Sequence, residues 1–178
     1  MSSIAKKEEA ELSLNKIKIT ILGLIAIAFT ACDSIIPSSF VWLRKVDFMV
    51  DPQANRGHSF ACHIAVAYSQ DLVDKLAGLA DAKAYFNQVN SLIKTYKDNI
   101  QIFKFDLIPG KNRLEQPINL RSYFKAKGAF VFAKYTTPGK YMENVGLART
   151  LTVLLLPNKM ELHSDISLDK LTEKIRRR

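Results

Sequence analysis

An uncharged apolar run near the start of the chain constrains the fold more than any other feature. Residues 19–31 carry no charge, Lys16 and Lys18 precede them, and Asp33 ends the run just after Cys32. A bilayer core ~30 Å thick requires roughly 20 apolar residues in a helix, so about 13 are too few for a comfortable span. An uncleaved signal anchor and a buried core helix are alternatives, but the order of basic and apolar segments favours an export signal.

The end of this run, Phe29-Thr30-Ala31-Cys32, resembles a bacterial lipobox. In such motifs the small residues before the cysteine fit the signal peptidase, and the thiol receives a diacylglycerol. The sequence therefore predicts a signal peptide over residues 1–31 and lipidation of Cys32. An acylated Cys32 and a polar tether would occupy residues 32–39, and one domain would follow over residues 40–178.

The cysteine count is compatible with this prediction. The chain has two cysteines, and acylation of Cys32 would leave Cys62 without a partner for a disulfide. Cys62 lies in an apolar strand pattern, which favours a small buried side chain over a reactive thiol.

The chain is basic, with 26 Lys and Arg against 17 Asp and Glu and a formal net charge of +9. A basic tail that contains Lys170, Lys174 and Arg176 could lie near anionic lipid headgroups. The remaining basic residues are scattered singly, without zinc-finger spacing or an aromatic RNA-binding motif, so nucleic-acid binding is not expected.

Strand and helix patterns alternate along the domain. Period-two segments predict strands near residues 41–50, 60–68, 100–108, 114–120, 128–135, 147–156 and 159–163. A period of 3.6 predicts a helical insertion about 70–97 with a bend at Gly78. This pattern is typical of a mainly β, two-sheet β-sandwich with helical decoration, and Pro117 predicts an edge strand or a strand end.

The same alternation predicts which side chains share a face. On the first strand it places Trp42, Val46, Phe48 and Val50 together. Five other residues are predicted to meet in the sandwich core: Val66, Phe105, Phe130, Phe132 and Leu154.

Signals for catalysis are weak. His58, His63 and His163 lack metal-ligand spacing, and the chain has no phosphate-binding glycine loop and no serine nucleophile elbow. Asp47 and Asp51 could form a carboxylate pair, although capping a turn is the commoner role of an Asp before Pro. We therefore expect no metal, no cofactor and no enzymatic activity.

The order of features from Val46 to Leu162 resembles the TssJ family, the outer-membrane lipoproteins of bacterial type VI secretion systems. The segments that carry the resemblance are the turn in residues 50–57, the strand of residues 63–68 with Leu72, the helical segment from Ala84 to Tyr96, the Pro109-Gly110 turn after Phe105, and the strand of residues 124–135. Together they span most of the chain after Cys32.

The resemblance implies a transthyretin-like β-sandwich, to which we add the helical insertion predicted above and a short C-terminal helix. It also implies a multi-copy structural role, with N-terminal acyl chains in the outer membrane and binding to the periplasmic part of a TssM-like inner-membrane protein. In the family the loop between the first two strands contacts the partner. That loop corresponds here to Asp51, Pro52, Gln53, Asn55, Arg56 and His58, and Gln53, Asn55, Arg56 and His58 are expected to face solvent.

Other functions remain open on the sequence. The chain could be a lipoprotein of another envelope machine, such as a type IV secretion core complex or a pilus. It could also be a periplasmic lipoprotein whose sandwich holds a lipid or a small ligand. Asp33, directly after the lipidation site, favours inner-membrane retention under the enteric sorting rule and so opposes the outer-membrane placement.

Overall fold

Two four-stranded sheets and a pair of helices make up the part of the protein that the computed structural model describes, residues 41–111 and 113–165. These residues belong to one compact unit. The predicted signal peptide, Cys32, the tether and the predicted C-terminal helix lie outside the described residues. In the described part of the chain, no helix is both long and apolar enough to cross a membrane.

The sheets form the predicted sandwich. Its strands are β1 (Lys45–Val50), β2 (Phe60–Ala67), β3 (Ile100–Leu107), β4 (Leu114–Pro117), β5 (Gly128–Ala133), β6 (Met142–Asn144), β7 (Thr150–Leu155) and β8 (Met160–Ser164). The outer sheet has the order β4-β1-β7-β8, and the middle sheet has the order β3-β2-β5-β6. β1 runs parallel to β7, and the other paired strands are antiparallel.

Two helices follow β2, within the predicted insertion. Helix α1 (Gln70–Ala77) begins after Ser69, whose hydroxyl accepts a hydrogen bond from the Leu72 amide. Helix α2 (Ala82–Tyr96) begins after Asp81, whose carboxylate accepts a 2.7 Å bond from the Ala84 amide. These caps satisfy amides that have no partner within the helix. The helices contact the middle sheet on the face away from the outer sheet, which makes a third layer.

Apolar side chains fill the space between the two sheets. Phe48 of β1 meets Phe105 of β3 with ring centroids 4.9 Å apart. Ile64 and Val131 pair across the neighbouring strands of the middle sheet and are fully buried. From the outer sheet, alternate residues of β1 and β7 are buried as well: Val46, Phe48, Val50, Leu151, Val153 and Leu155.

The predicted placement of Phe130 and Phe132 in this inter-sheet core is wrong. In the observed register Phe130 pairs with Ala65 and Phe132 with His63, so both phenylalanines point to the helix side of the middle sheet. The Phe132 ring stacks on Tyr85 of α2, with ring centroids 3.8 Å apart and planes within 5°. The small residues of β2 on this face allow the helix to approach closely.

Leu154 is also misplaced by the prediction, because on β7 it alternates with the buried Val153 and Leu155 and so faces away from the middle sheet. Trp42 lies before β1 and is 53% exposed, so it does not share the face of Val46 and Phe48. The three-residue strand β6 was not expected from the sequence. Pro117 ends β4 at a sheet edge, as predicted.

A charged cluster lies on the open face of the outer sheet. Asp47 is 3% exposed, and its carboxylate lies 2.9 Å from Arg113 and 3.4 Å from Lys45. Glu115 on the neighbouring strand is within 2.9 Å of the same two cations. Asp47 is therefore an ion-pair partner of Arg113 and does not form a carboxylate pair with Asp51.

The strands separate two ends of the sandwich. At one end, which we call the tip, lie the β1–β2 loop, the β5–β6 loop and the β7–β8 turn, joined by hydrogen bonds from Thr136 to Asn55 and from Tyr135 to Leu156. At the other end, the base, the described chain starts at Val41, and the Arg44 amide bonds to the carbonyl of Arg149. An eight-residue strand such as β2 is about 26 Å long, which sets the separation of the two ends.

Candidate functional site

The β1–β2 loop at the tip is held by its own hydrogen bonds. The Asp51 carboxylate accepts a 2.7 Å bond from the Gln53 amide, and the Asp51 carbonyl accepts one of 2.9 Å from the Ala54 amide. Asp51 therefore caps the turn that it opens with Pro52. The Arg56 amide then donates to the carbonyl of Gln53, 3.0 Å away.

Three consecutive residues of this loop have left-handed backbone angles: Asn55 at φ 49°, Arg56 at φ 58° and Gly57 at φ 76°. Glycine adopts this conformation readily, whereas an arginine does so at a cost, so surrounding contacts must hold it. The loop thus has a defined shape that does not depend on a partner.

Asn55 provides those contacts, and its expected exposure to solvent is wrong. Its residue surface is 1% exposed, and its side-chain oxygen accepts bonds from the amide (2.7 Å) and the hydroxyl (2.8 Å) of Thr136. Its side-chain nitrogen donates to the carbonyl of His58 at 3.1 Å. Asn55 therefore joins the β1–β2 loop to the β5–β6 loop and offers no free amide to a partner.

The other predicted loop residues remain accessible. Pro52, Gln53, Arg56 and His58 are exposed, and Asp51 is half-buried. Beside them is a shallow hollow of about 410 Å³ that the loop shares with Pro157 and Asn158 of the β7–β8 turn. The structure thus brings five of the six predicted positions to the surface of one rigid loop, with a recess next to it.

The β5–β6 loop, residues 134–141, forms the second part of the tip and was not recognised as a site from the sequence. Tyr135 and Tyr141 stack with ring centroids 4.1 Å apart, and the Tyr135 hydroxyl donates to the carbonyl of Leu156 at 2.8 Å. The Lys140 carbonyl accepts a 2.8 Å bond from the Ala82 amide at the start of α2. Tyr141 has φ 38°, which is unusual for an aromatic residue. The Thr-Thr-Pro-Gly sequence of this loop does not reveal these contacts.

A cleft of about 920 Å³ opens between this loop, the β1–β2 loop and the first turns of α2. Phe86 lies on its helix wall, and the Lys134 ammonium is 5.7 Å from the centre of the Phe86 ring. Asp81, Lys83 and Asp106 also line it, so the wall is mixed in charge. The cleft lies outside the sandwich, because the space between the sheets is occupied by core side chains.

His63 is a titratable side chain buried between the middle sheet and α2. It is 8% exposed beneath α2, with its Nδ1 3.3 Å from the Tyr85 hydroxyl and its ring 4.7 Å from that of Phe86. Burial, together with the positive charges of Lys104 and Lys134, lowers the pKa of His63 to about 4, and Asp106 opposes this shift. His63 is therefore neutral near pH 7 and packs as part of the helix–sheet contact.

Within residues 41–111 and 113–165, no group of three or more His, Cys, Asp or Glu side chains is placed to hold a metal ion. Cys62 is buried and free, and burial raises the pKa of its thiol, which disfavours the reactive thiolate. The arrangement at the tip offers rigid loops, exposed polar side chains and a cleft, which are features of a recognition surface.

No protein-family model and no curated protein sequence matches the chain. Its fold is similar to that of Serratia marcescens Lip, a membrane bound component of the Type VI Secretion System, with a TM-score of 0.51, 14% identity, and coverage of 70% of this chain and 97% of that one. It is also similar to the T6SS lipoprotein TssJ1 from Pseudomonas aeruginosa, with a TM-score of 0.51, 12% identity, and coverage of 69% and 95%. The chain thus has a TssJ-like fold, which confirms the resemblance seen in the sequence at the level of the fold.

Proposed function

We propose that this chain is a membrane-anchored structural lipoprotein of a type VI secretion envelope complex, present in multiple copies, and that it acts by binding and not by catalysis. The TssJ-like fold is the observation that carries the proposal. The lipobox-like ending at Cys32 supports it independently, since Cys32 precedes all the residues that form the sandwich.

In this proposal Cys32 carries the anchor. A single acyl chain holds a protein on a membrane only marginally, whereas the two or three chains of a lipoprotein bind stably at ~0.8 kcal/mol per buried CH₂. The acyl chains would lie in the outer membrane with the domain on its periplasmic side, and Asp33 is the residue that opposes this placement.

Metabolic labelling with a palmitate analogue tests the anchor. The wild-type chain should be labelled and Cys32→Ser should not. Cys62→Ser is the matched control, because Cys62 is buried in the sandwich and should not affect the label. Equal labelling of wild type and Cys32→Ser would reject the lipidation site. Separation of inner and outer membranes for wild type and Asp33→Ser would then show whether Asp33 affects placement.

The partner in this proposal is the periplasmic region of a TssM-like inner-membrane protein, and the β1–β2 loop is the binding surface. Gln53, Arg56 and His58 are exposed on a loop whose shape is fixed by Asn55. A rigid loop loses little conformational freedom on binding, which favours affinity. The recess between Arg56 and Pro157 could receive a side chain of the partner.

Surface substitutions test this better than replacing the whole loop, because Ala54 and Asn55 are buried and a Gly-Ser linker would remove their contacts. We expect Arg56→Glu combined with Gln53→Ala to weaken binding of the partner region at least tenfold, about 1.4 kcal/mol. Lys75→Glu on the exposed side of α1 makes the same charge change and should bind normally. Equal binding of both variants would exclude the loop and shift attention to the cleft beside α2.

A further inference from the structure

The base of the sandwich exposes large apolar side chains next to basic ones. Phe124 is 81% exposed, Trp42 is 53% exposed and Leu147 is 41% exposed. Each lies in a different segment at the base: the stretch before β1, the β4–β5 connection and the β6–β7 connection. We call this region the basal surface, and it comprises Trp42, Arg44, Arg121, Phe124, Lys125, Lys127, Leu147 and Arg149.

Hydrogen bonds and ring contacts hold the three segments together. The Arg44 amide donates to the carbonyl of Arg149, and the Arg44 guanidinium lies 5.5 Å from the centre of the Tyr123 ring. The Lys127 amide donates to the carbonyl of Ala67 at 2.7 Å, where β2 ends. The basal surface is therefore a fixed part of the domain.

Arg121 is fixed at the same end of the sandwich. Its guanidinium lies 5.3 Å from the centre of the Tyr68 ring, and it donates to the carbonyl of Ile100. Its backbone amide bonds to the side chain of Gln101 at 3.0 Å.

Positive charge dominates the basal surface. Arg44, Arg121, Lys125, Lys127 and Arg149 are all exposed. Acidic groups at this end include the exposed Asp71 in the first turn of α1, Asp98, whose carboxylate is 3.8 Å from Arg121, and Asp165, whose carboxylate accepts bonds from the backbone amides of Arg149 and Thr150. Exposed aromatic side chains among lysines and arginines are the composition that favours the headgroup region of a bilayer.

The position of Cys32 in the sequence also points to this end. The described domain begins at Val41 on the base, and eight residues separate it from Cys32. A fully extended segment of that length reaches at most about 29 Å, and a flexible one averages about 16 Å. An acylated Cys32 would therefore keep the base close to the bilayer. The basic residues from Lys170 onward also follow β8, whose last residues lie at the base.

We propose that the basal surface rests on the anionic headgroups of the membrane that holds the Cys32 acyl chains, with Trp42 and Phe124 inserted among the headgroups. The proposal rests on the lipid anchor of the proposed function. In this orientation the strands run from the base at the membrane toward the tip. The β1–β2 loop then lies about 26 Å farther from the bilayer than the base does. The basal surface and the β1–β2 loop then lie at opposite ends of the domain.

The sole tryptophan of the chain is on the basal surface, so its fluorescence reports on this contact without labels. The full-length chain, purified from membranes in detergent, is reconstituted into vesicles of phosphatidylglycerol and phosphatidylcholine, the latter brominated near the top of its acyl chains. We expect Trp42 emission to be quenched and shifted to shorter wavelength. Vesicles of phosphatidylcholine alone, or high salt, should reduce the quenching because they weaken the attraction of the basic residues.

A triple variant, Phe124→Ser with Lys125→Glu and Lys127→Glu, tests the surface itself. The contact of the basal surface with the bilayer should weaken at least about thirtyfold, and quenching of Trp42 should fall with it, since each of the two lysines contributes roughly 1 kcal/mol to the attraction. The matched control is Lys75→Glu with Lys83→Glu, which makes the same charge change on exposed helix positions and should be quenched like the wild type.

Flotation of the vesicles separates failure of the anchor from failure of the surface contact. Flotation with Trp42 unquenched in anionic vesicles would overturn the basal contact while leaving the anchor intact, and would indicate that a protein partner or the chain's own tail covers the surface. Absence of flotation would contradict both proposals. Quenching that the triple variant does not reduce would also overturn the assignment of these residues.

Discussion

The two sheets of the sandwich differ in how many of their faces are covered, and their sequences differ in the same way. In β7 of the outer sheet the buried Leu151, Val153 and Leu155 alternate with half-buried residues. In β2 of the middle sheet seven of the eight residues are buried, because the outer sheet covers one face and the helices cover the other. Residue periodicity thus indicates which face of a strand is inside only when the other face meets water.

The largest expected effect comes from truncating a buried side chain of the middle sheet. Phe132→Ala should lower the free energy of unfolding by about 3–5 kcal/mol, because the ring is fully buried against Tyr85. Leu154→Ala on the open face of the outer sheet should cost less than about 1.5 kcal/mol. Urea denaturation of the purified full-length variants measures both. Equal losses would mean that the helix layer does not cover the middle sheet.

Lowering the pH should destabilise the protein through His63 of the middle sheet. The folded-state pKa of His63 is about 4, below its ordinary value near 6.5, so the unfolded chain binds a proton that the folded chain excludes in this range. The contribution of neutral His63 to the free energy of unfolding is fully present above pH 6.5 and is lost as the pH falls to 4. We expect a loss of about 1–2 kcal/mol from this group, reduced by partial solvent screening.

The measurement is the unfolding free energy of wild type and two variants at pH 7 and pH 4.5. His63→Gln should remove this part of the pH dependence. His163→Gln, at an exposed position on β8 of the outer sheet, should leave it unchanged. If the two variants show the same pH dependence, His63 is not the group responsible.

The smallest expected effect comes from adding a methyl group at Gly128. A Cβ on Gly128 would lie 2.9 Å from the Val73 Cγ2 of α1, so Gly128→Ala should destabilise by about 1 kcal/mol. Val73→Ala in the same chain should relieve the conflict, which a double-mutant cycle detects as a favourable coupling. Leu154→Phe, which enlarges a side chain on the open face, should change stability little. Additive effects of the first two substitutions would argue against close contact of α1 with the middle sheet.

The covered faces also explain how much of the fold the sequence could predict. The prediction that Val46, Phe48 and Val50 share one face is confirmed. It was possible because charged or exposed residues alternate with them. The prediction put Phe130 and Phe132 on the wrong face, because β5 has apolar residues on both faces. Its sequence therefore does not indicate which face points toward the other sheet. The order of strands in each sheet depends on contacts between distant segments, which periodicity does not encode.

The candidate site was predictable to a similar degree. The turn chemistry of Asp51, Pro52 and Gly57 correctly indicated a loop between two strands. The burial of Asn55 was missed because its partner, Thr136, is 81 residues away in the chain. Left-handed angles at Asn55 and Arg56 could not be expected either, as only the packed tip supports them.

The parallel pair of β1 and β7 has a consequence for the order of folding. β1 comes first in the domain, yet its neighbours in the outer sheet are β4 and β7. Lys45 therefore pairs with Pro117 on one side and with Thr150 on the other, and both are distant in the sequence. Contacts between such distant segments form slowly. While the chain is being synthesised, or if it is truncated before β7, the first strand keeps one edge and its apolar residues unpaired. Such an edge can pair with a second chain, and nascent copies are then at risk of aggregation.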